Sequence, residues 1–320
     1  MNWNKFLPIS KTVKNNKINE KFIDYIWNSN YISGKKLKQV ALITGCSSGI
    51  GYETSILLAK NGFKTYATMR NTDKGNKLKE ISDKENLDLK IIKLDVTDDY
   101  SIKNAINEIV EETDRIDVLV NNAGNNIAGA VEDLSIEEFK EQFETNFFGL
   151  IRVIKGVLPI MRKQNSGIIV NLSSIVGKMA IPLNSAYVSS KFAVEGFSES
   201  IRYELEDFGI KVILIEPGVI KSNFYENIKM AKNSLMDPTS VYQPITQKIF
   251  EAFLPMLEYA FPTKIVADAI LEAVTSDKPD IRYAVGDDAK SIIEARKKLS
   301  DKEFEKWVKE GFFEKKGFIR

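Results

Sequence analysis

The chain contains no histidine at any of its 320 positions. That absence excludes Ser-His-Asp and Cys-His nucleophile systems, His-ligated catalytic zinc and an imidazole general base. A single cysteine, Cys46, excludes an internal disulfide framework and cysteine-cluster metal sites, and it fits a reducing compartment. No charge-free run of ~18 apolar residues is present, so no membrane-spanning helix is expected. The opening Met1-Asn2-Trp3-Asn4-Lys5 lacks the apolar core of a signal peptide, which points to a cytoplasmic protein. Charge of one sign is missing too. The 45 Lys and Arg are offset by 44 Asp and Glu, which removes the bulk electrostatic case for nucleic acid or an anionic membrane as partner. Proton chemistry must be run by Tyr, Lys, Asp, Glu or water, and no histidine or cysteine pattern signals a metal site.

The chain is 43% hydrophobic and 28% charged, enough apolar material for a buried core. Residues 1–37, rich in Lys and Asn, read as an N-terminal extension. Ile18, Phe22, Tyr25 and Ile26 recur there at helical spacing and predict a short helix over 18–29. From Gln39 the pattern changes to short apolar runs alternating with amphipathic segments. Strands are expected at 40–43, 64–69, 90–94, 117–120, 167–173, 211–216 and 281–284. Helices are expected near 50–61, 74–84, 99–113, 136–163, 186–208, 264–275 and 288–299. This alternation predicts an α/β fold: a three-layer, doubly wound parallel sheet over 38–300, with 301–320 as a C-terminal extension.

Between the first strand and first helix lies Thr44-Gly45-Cys46-Ser47-Ser48-Gly49-Ile50-Gly51. Gly45 can make the tight turn, Gly49 can let backbone approach a pyrophosphate, and Gly51 can allow close helix packing. The helix start offers N–H donors, so Ser47, Ser48 and Ile50 join the glycines as candidate phosphate contacts. The second strand ends at Arg70, with no acid before Asp73. Arginine here suits a ribose 2′-phosphate, whereas a carboxylate would bind the 2′-hydroxyl; a solvated surface arginine is the plain alternative. Tyr187 and Lys191 stand one helical turn apart, on one face. A lysine beside a tyrosine favours the phenolate and equips the pair for acid/base work without imidazole.

The Thr-Gly-x-x-x-Gly-x-Gly loop, Asn121-Asn122-Ala123-Gly124 and Tyr187-x-x-x-Lys191 together resemble the short-chain dehydrogenase/reductase family over residues 38–300. The wording of the loop, of Tyr66-Ala67-Thr68-Met69-Arg70 and of the segment from Tyr187 to Phe197 is similar to the hydroxysteroid/retinol dehydrogenase branch. The resemblance implies a Rossmann-type oxidoreductase that moves a hydride between nicotinamide C4 and a carbonyl carbon. It gives Tyr187 the role of acid/base, Ser174, thirteen residues earlier, that of polarising the substrate oxygen, and Asn146 that of bending its helix and holding a water linked to Lys191. Ser173 is the alternative serine.

By the same resemblance, Asp95 and Val96 meet the adenine, and Asn122, Ala123 and Gly124 make room for the adenosine ribose. Lys191 also binds the nicotinamide ribose, and Pro217, Gly218, Val219 and Ile220 form the turn beside the nicotinamide. Arg70 favours NADP(H), while the absence of a base at Cys46 or Ser47 leaves NAD(H) use open. The insertion at 223–262 is expected to be a helical substrate lid, dense in large apolar residues such as Phe224, Tyr225, Leu235, Met236, Phe250 and Phe253. Such a lid suits a small apolar carbonyl or alcohol substrate, with packing of the lid helices or of a subunit interface as the plain alternative. The family's subunit contacts imply a homodimer or homotetramer through 136–163 and 186–208. A non-catalytic nucleotide sensor or scaffold on the same fold is the alternative function.

Overall fold

The computed structural model describes residues 31–32, 35–36, 38–233 and 239–313. Tyr31–Ile32 and Lys35–Lys36 form a small antiparallel pair. The helix expected over 18–29, and Leu235 and Met236 of the lid, lie outside the described residues. Chain from Gln39 onward makes one compact unit.

That unit is built on seven strands: β1 Val40–Ile43, β2 Lys64–Met69, β3 Leu89–Lys93, β4 Val118–Asn121, β5 Gly167–Leu172, β6 Ile210–Pro217 and β7 Arg282–Val285. All neighbours pair in parallel, in the order β7-β6-β5-β4-β1-β2-β3. The order reverses between β1 and β4, the switch point where sheets of this kind open a crevice at their carboxyl ends. Every residue of β1 is buried. Val40 and Leu42 face one apolar layer with Ile106, Ile109, Val153 and Ile201, while Ala41 and Ile43 face the other with Leu58, Phe63, Val266 and Ile270. Alternate side chains of one strand thus cement two helical layers, each fully buried aliphatic contributing ~1.5–3 kcal/mol.

The helices are α1 Gly49–Lys60, α2 Asn76–Glu85, α3 Asp99–Thr113, α4 Ile136–Phe143, α5 Gly149–Gln164, α6 Ser185–Leu205, α7 Gln243–Glu258, α8 Thr263–Thr275, α9 Asp287–Lys298 and α10 Asp301–Phe313. One expectation is corrected. The helix read over 136–163 is broken by a π turn at Glu144–Phe148. Inside that turn Asn146 is buried and gives its amide group to Asn125 and Ser190 rather than to its own helix. The lid carries α7, and α10 buries Phe304 and Phe312 against the same apolar cluster as Val176, Met179 and Ile249. No helix among the described residues is long and apolar enough to cross a membrane.

Candidate active site

A cleft of about 1600 Å³ runs along the carboxyl ends of the strands, from Arg70 past the β1–α1 loop to Tyr187 and under the lid. The loop is held rigidly. Asn122 Nδ2 donates to the carbonyls of Thr44 (2.9 Å) and Gly45 (3.0 Å), and the N–H groups of Asn122 and Ala123 both donate to Thr44 Oγ1. Gly45 has φ +74°, and a Cβ on it would lie 2.8 Å from Ala123 Cα, so no other residue fits. Gly51 brings the start of α1 tight against the turn: a Cβ there would lie 2.6 Å from the Gly45 carbonyl oxygen and 2.5 Å from Asn122 Nδ2. Ser48 precedes α1 without a side-chain cap, which leaves the helix N–H donors facing the cleft.

At the far end of β2, Arg70 is exposed and lines the cleft with Asp73, Lys74 and Lys77. Among the described residues, none of these three bases forms an ion pair. The two lysines escaped the sequence reading because they follow the strand end and count as ordinary surface residues until α2 turns them back. Cys46 points away from the cleft. It is fully buried, its thiol donates to the Ile43 carbonyl, and burial pushes its pKa up to about 12. Asp95 lines the cleft but its Oδ1 already accepts from the backbone and hydroxyl of Thr97. Val96 and Gly124 line the same stretch. The cap of α3 is Asp98.

The residues expected to handle the proton converge on α6. Lys191 is buried, its Nζ donates to the Leu172 carbonyl at 2.7 Å, and it sits 5.8 Å from the Tyr187 ring centre. Burial pulls its pKa down to about 8, against the pull of Glu195 one turn on. Burial pushes the Tyr187 phenol above its ordinary value, with Tyr225 adding to the rise and hydrogen bonding with Ser174 opposing it. Ser174 also accepts from the Val176 N–H and opens to the cleft. The buried Ser173 hydroxyl has no partner among the described residues, and a Cβ on Gly177 would lie 2.7 Å from it. Ser174, not Ser173, is the serine that meets Tyr187. Asn146 donates to Ser190, which in turn donates to the Tyr187 carbonyl, so the π turn braces the start of α6. Leu183, just before α6, adopts φ +61° and projects into the cleft, a strained position for a branched residue.

Behind Lys191 lies a buried ionic network that the sequence reading missed. Glu195 and Glu216 share Lys178 (2.7 and 3.8 Å) and Arg282 (3.1 Å to each). Burial, then the nearby Glu195 carboxylate, holds Glu216 above the ordinary carboxylate range. The available signal was a charged Glu216 inside the otherwise apolar β6, which demands a partner. From Tyr187 into the lid, a chain of tilted and edge-on ring contacts runs through Phe224, Tyr225 and Phe253, with ring centres 5.4–5.7 Å apart.

Residues 39–233 match the family of short chain dehydrogenases. The chain belongs to the short-chain dehydrogenase family. It is 40% identical over 252 residues to the uncharacterized oxidoreductase YusZ of Bacillus subtilis, covering 78% of this chain and 89% of that one. Retinol dehydrogenase 8 of Homo sapiens is 35% identical over 258 residues, 76% of this chain and 80% of its own. The solved structure of ElxO with NADP bound superposes with a TM-score of 0.63 at 29% identity, covering 77% of this chain and 97% of that one. Membership makes this short-chain dehydrogenase an oxidoreductase acting on CH–OH and C=O groups.

Proposed function

We propose that the enzyme is an NADP(H)-preferring oxidoreductase that interconverts a carbonyl and an alcohol on an apolar substrate, with Tyr187 as general acid and base. The observation that carries the reading is the convergence of Tyr187, Ser174 and Lys191 in a single cleft with an uncapped helix start and three unpaired bases at its other end. That the relative ElxO was solved with NADP supports the cofactor class.

The residues fit the cofactor. The pinned Gly45 turn leaves no side chain in the way, and the donors of Ser48, Gly49, Ile50 and Gly51 suit a pyrophosphate. Arg70, with Lys74 and Lys77, suits a 2′-phosphate, and three positive charges outweigh Asp73 and Asp95 at that end of the cleft. When bound, the cofactor supplies the hydride. Ser174 holds the substrate oxygen beside the phenol. The raised pKa keeps Tyr187 protonated at neutral pH, so it stands ready to donate its proton as a carbonyl is reduced. Lys191, still largely charged near pH 7, holds the nicotinamide ribose and stabilises the phenolate left behind.

The substrate side is apolar: Val176, Met179, Ile181, Phe224, Phe253, Met256 and Phe312 line it. That lining, and the likeness to a retinol dehydrogenase, support a hydrophobic ketone, aldehyde or alcohol. A homodimer or homotetramer through the outward faces of α5 and α6 completes the reading. The test is NADPH oxidation, followed by absorbance, across a panel of apolar ketones, aldehydes and quinones. Turnover with NADPH favoured over NADH is expected; tight NADPH binding without turnover of any member would sink it.

A further inference from the structure

We propose that Asp288 is a positioning residue for the nicotinamide end of the cofactor site, acting through the backbone of Val219. The inference rests on the reading of the cleft given above. Asp288 lies in the first turn of α9, is only 5% exposed, and does not itself line the cleft. Its Oδ2 accepts the Val219 N–H at 2.7 Å across sixty-nine positions of sequence. Its Oδ1 accepts the N–H of Ala289, which fixes the carboxylate to α9.

The turn it grips is Pro217-Gly218-Val219-Ile220. A Cβ on Gly218 would lie 2.1 Å from Asp288 Oδ1, so the turn backbone rests directly on the acid. Two main-chain bonds complete the grip: Gly218 N–H to the Val285 carbonyl at 2.9 Å, and Phe261 N–H to the Val219 carbonyl at 3.0 Å. Of the three, the Asp288 bond alone involves a side chain, and a hydrogen bond to a carboxylate is the stronger kind. The Val219 N–H is therefore committed within the protein. The neighbouring Ile220 N–H bonds Tyr225 as well, so the Asp288 grip acts through the position it gives the turn backbone beside the nicotinamide. Without Asp288, a buried N–H is left unpaired and a void opens beneath Gly218. The loss falls on one end of the site, because the phosphate loop and Arg70 stand on β1 and β2 and share no bond with Asp288.

The test titrates the full-length protein with NADPH, read by nicotinamide fluorescence, and with 2′-phospho-ADP-ribose, which lacks the nicotinamide, read by calorimetry. Asp288→Ala is expected to weaken NADPH about tenfold or more while 2′-phospho-ADP-ribose stays within about twofold. Asp288→Asn keeps one oxygen that can accept the Val219 N–H, giving up the Ala289 bond to its amide group, and is expected to recover NADPH affinity to within about threefold. Should the alanine variant fail to fold, Asp288→Ser, too short to reach Val219, is expected to show the same selective loss. Equal losses of both ligands, no loss of NADPH, or an asparagine variant as weak as alanine would overturn the proposal. If wild-type protein binds neither ligand and reduces no ketone, the reading of the cleft falls and this inference with it. If wild type behaves as read but Asp288→Ala leaves the ratio of the two affinities unchanged, this inference alone falls.

Discussion

Three residues carry the sharpest tests. Tyr187→Phe removes the proton donor but not the ring, so turnover is expected to fall by ~10²–10⁴ with NADPH affinity nearly unchanged. Full retained activity would show that another group gives the proton. Arg70→Ala is expected to weaken NADPH about tenfold, one lost charge-assisted contact, while NADH moves little. Equal losses would remove the 2′-phosphate role. Lys191 offers a pH test. Burial holds it at about 8, below the ordinary lysine value, so the unfolded chain binds its proton more tightly than the folded protein. The stability cost of that buried charge is full below about pH 8 and is relieved as pH rises toward the unfolded value of ~10.4. Thermal unfolding of Lys191→Met without cofactor is therefore expected to compare best with wild type at pH 7, its relative advantage shrinking by pH 10. An advantage that grows with pH would contradict the burial argument. Tyr187, Lys191 and the loop glycines were legible because their geometry is fixed by spacing within one helix or one turn. Asp288, Lys77 and the Glu195–Glu216 network were not, because each acquires its meaning from partners on other elements.

At the scale of elements, rhythm told most and insertion told least. The seven strands fall within a residue or so of their expected places because a buried parallel strand shows itself as a short apolar run. The π turn at Glu144–Phe148 left no trace in periodicity, since it arises from the Asn146 amide reaching across to Asn125 and Ser190. Likewise 301–320 reads only as a C-terminal extension until Phe312 of α10 is seen in the cleft wall. Phe312→Ala is expected to raise kcat/KM for bulky ketones relative to small ones, with NADPH affinity unaltered. The check is a series of ketones of increasing size, and an unchanged size profile would remove α10 from substrate selection.

For the whole molecule, the alternation of strands and helices predicted the layers, and the observed strand order puts the switch point, and with it the cleft, between β1 and β4. What composition leaves open is assembly. Phe148, in the π turn, and Phe192, on α6, are each 46% exposed, on elements expected to meet a second copy. Phe148→Glu together with Phe192→Glu is expected to shift the protein to monomer in sedimentation velocity with its fold intact by circular dichroism; an unchanged sedimentation coefficient would place the interface elsewhere.

The C-terminal placement of Phe312 has a consequence for synthesis. By the time Tyr225 has left the ribosome, the phosphate loop, Arg70, Ser174, Tyr187 and Lys191 are all available, but the cleft still lacks the wall that α10 supplies. The growing chain thus gains the phosphate loop and Arg70 first, Asp288 and its grip on the Val219 turn later, and the α10 wall last, so a nascent or clipped protein ending before Asp301 is expected to carry the cleft without its full apolar wall.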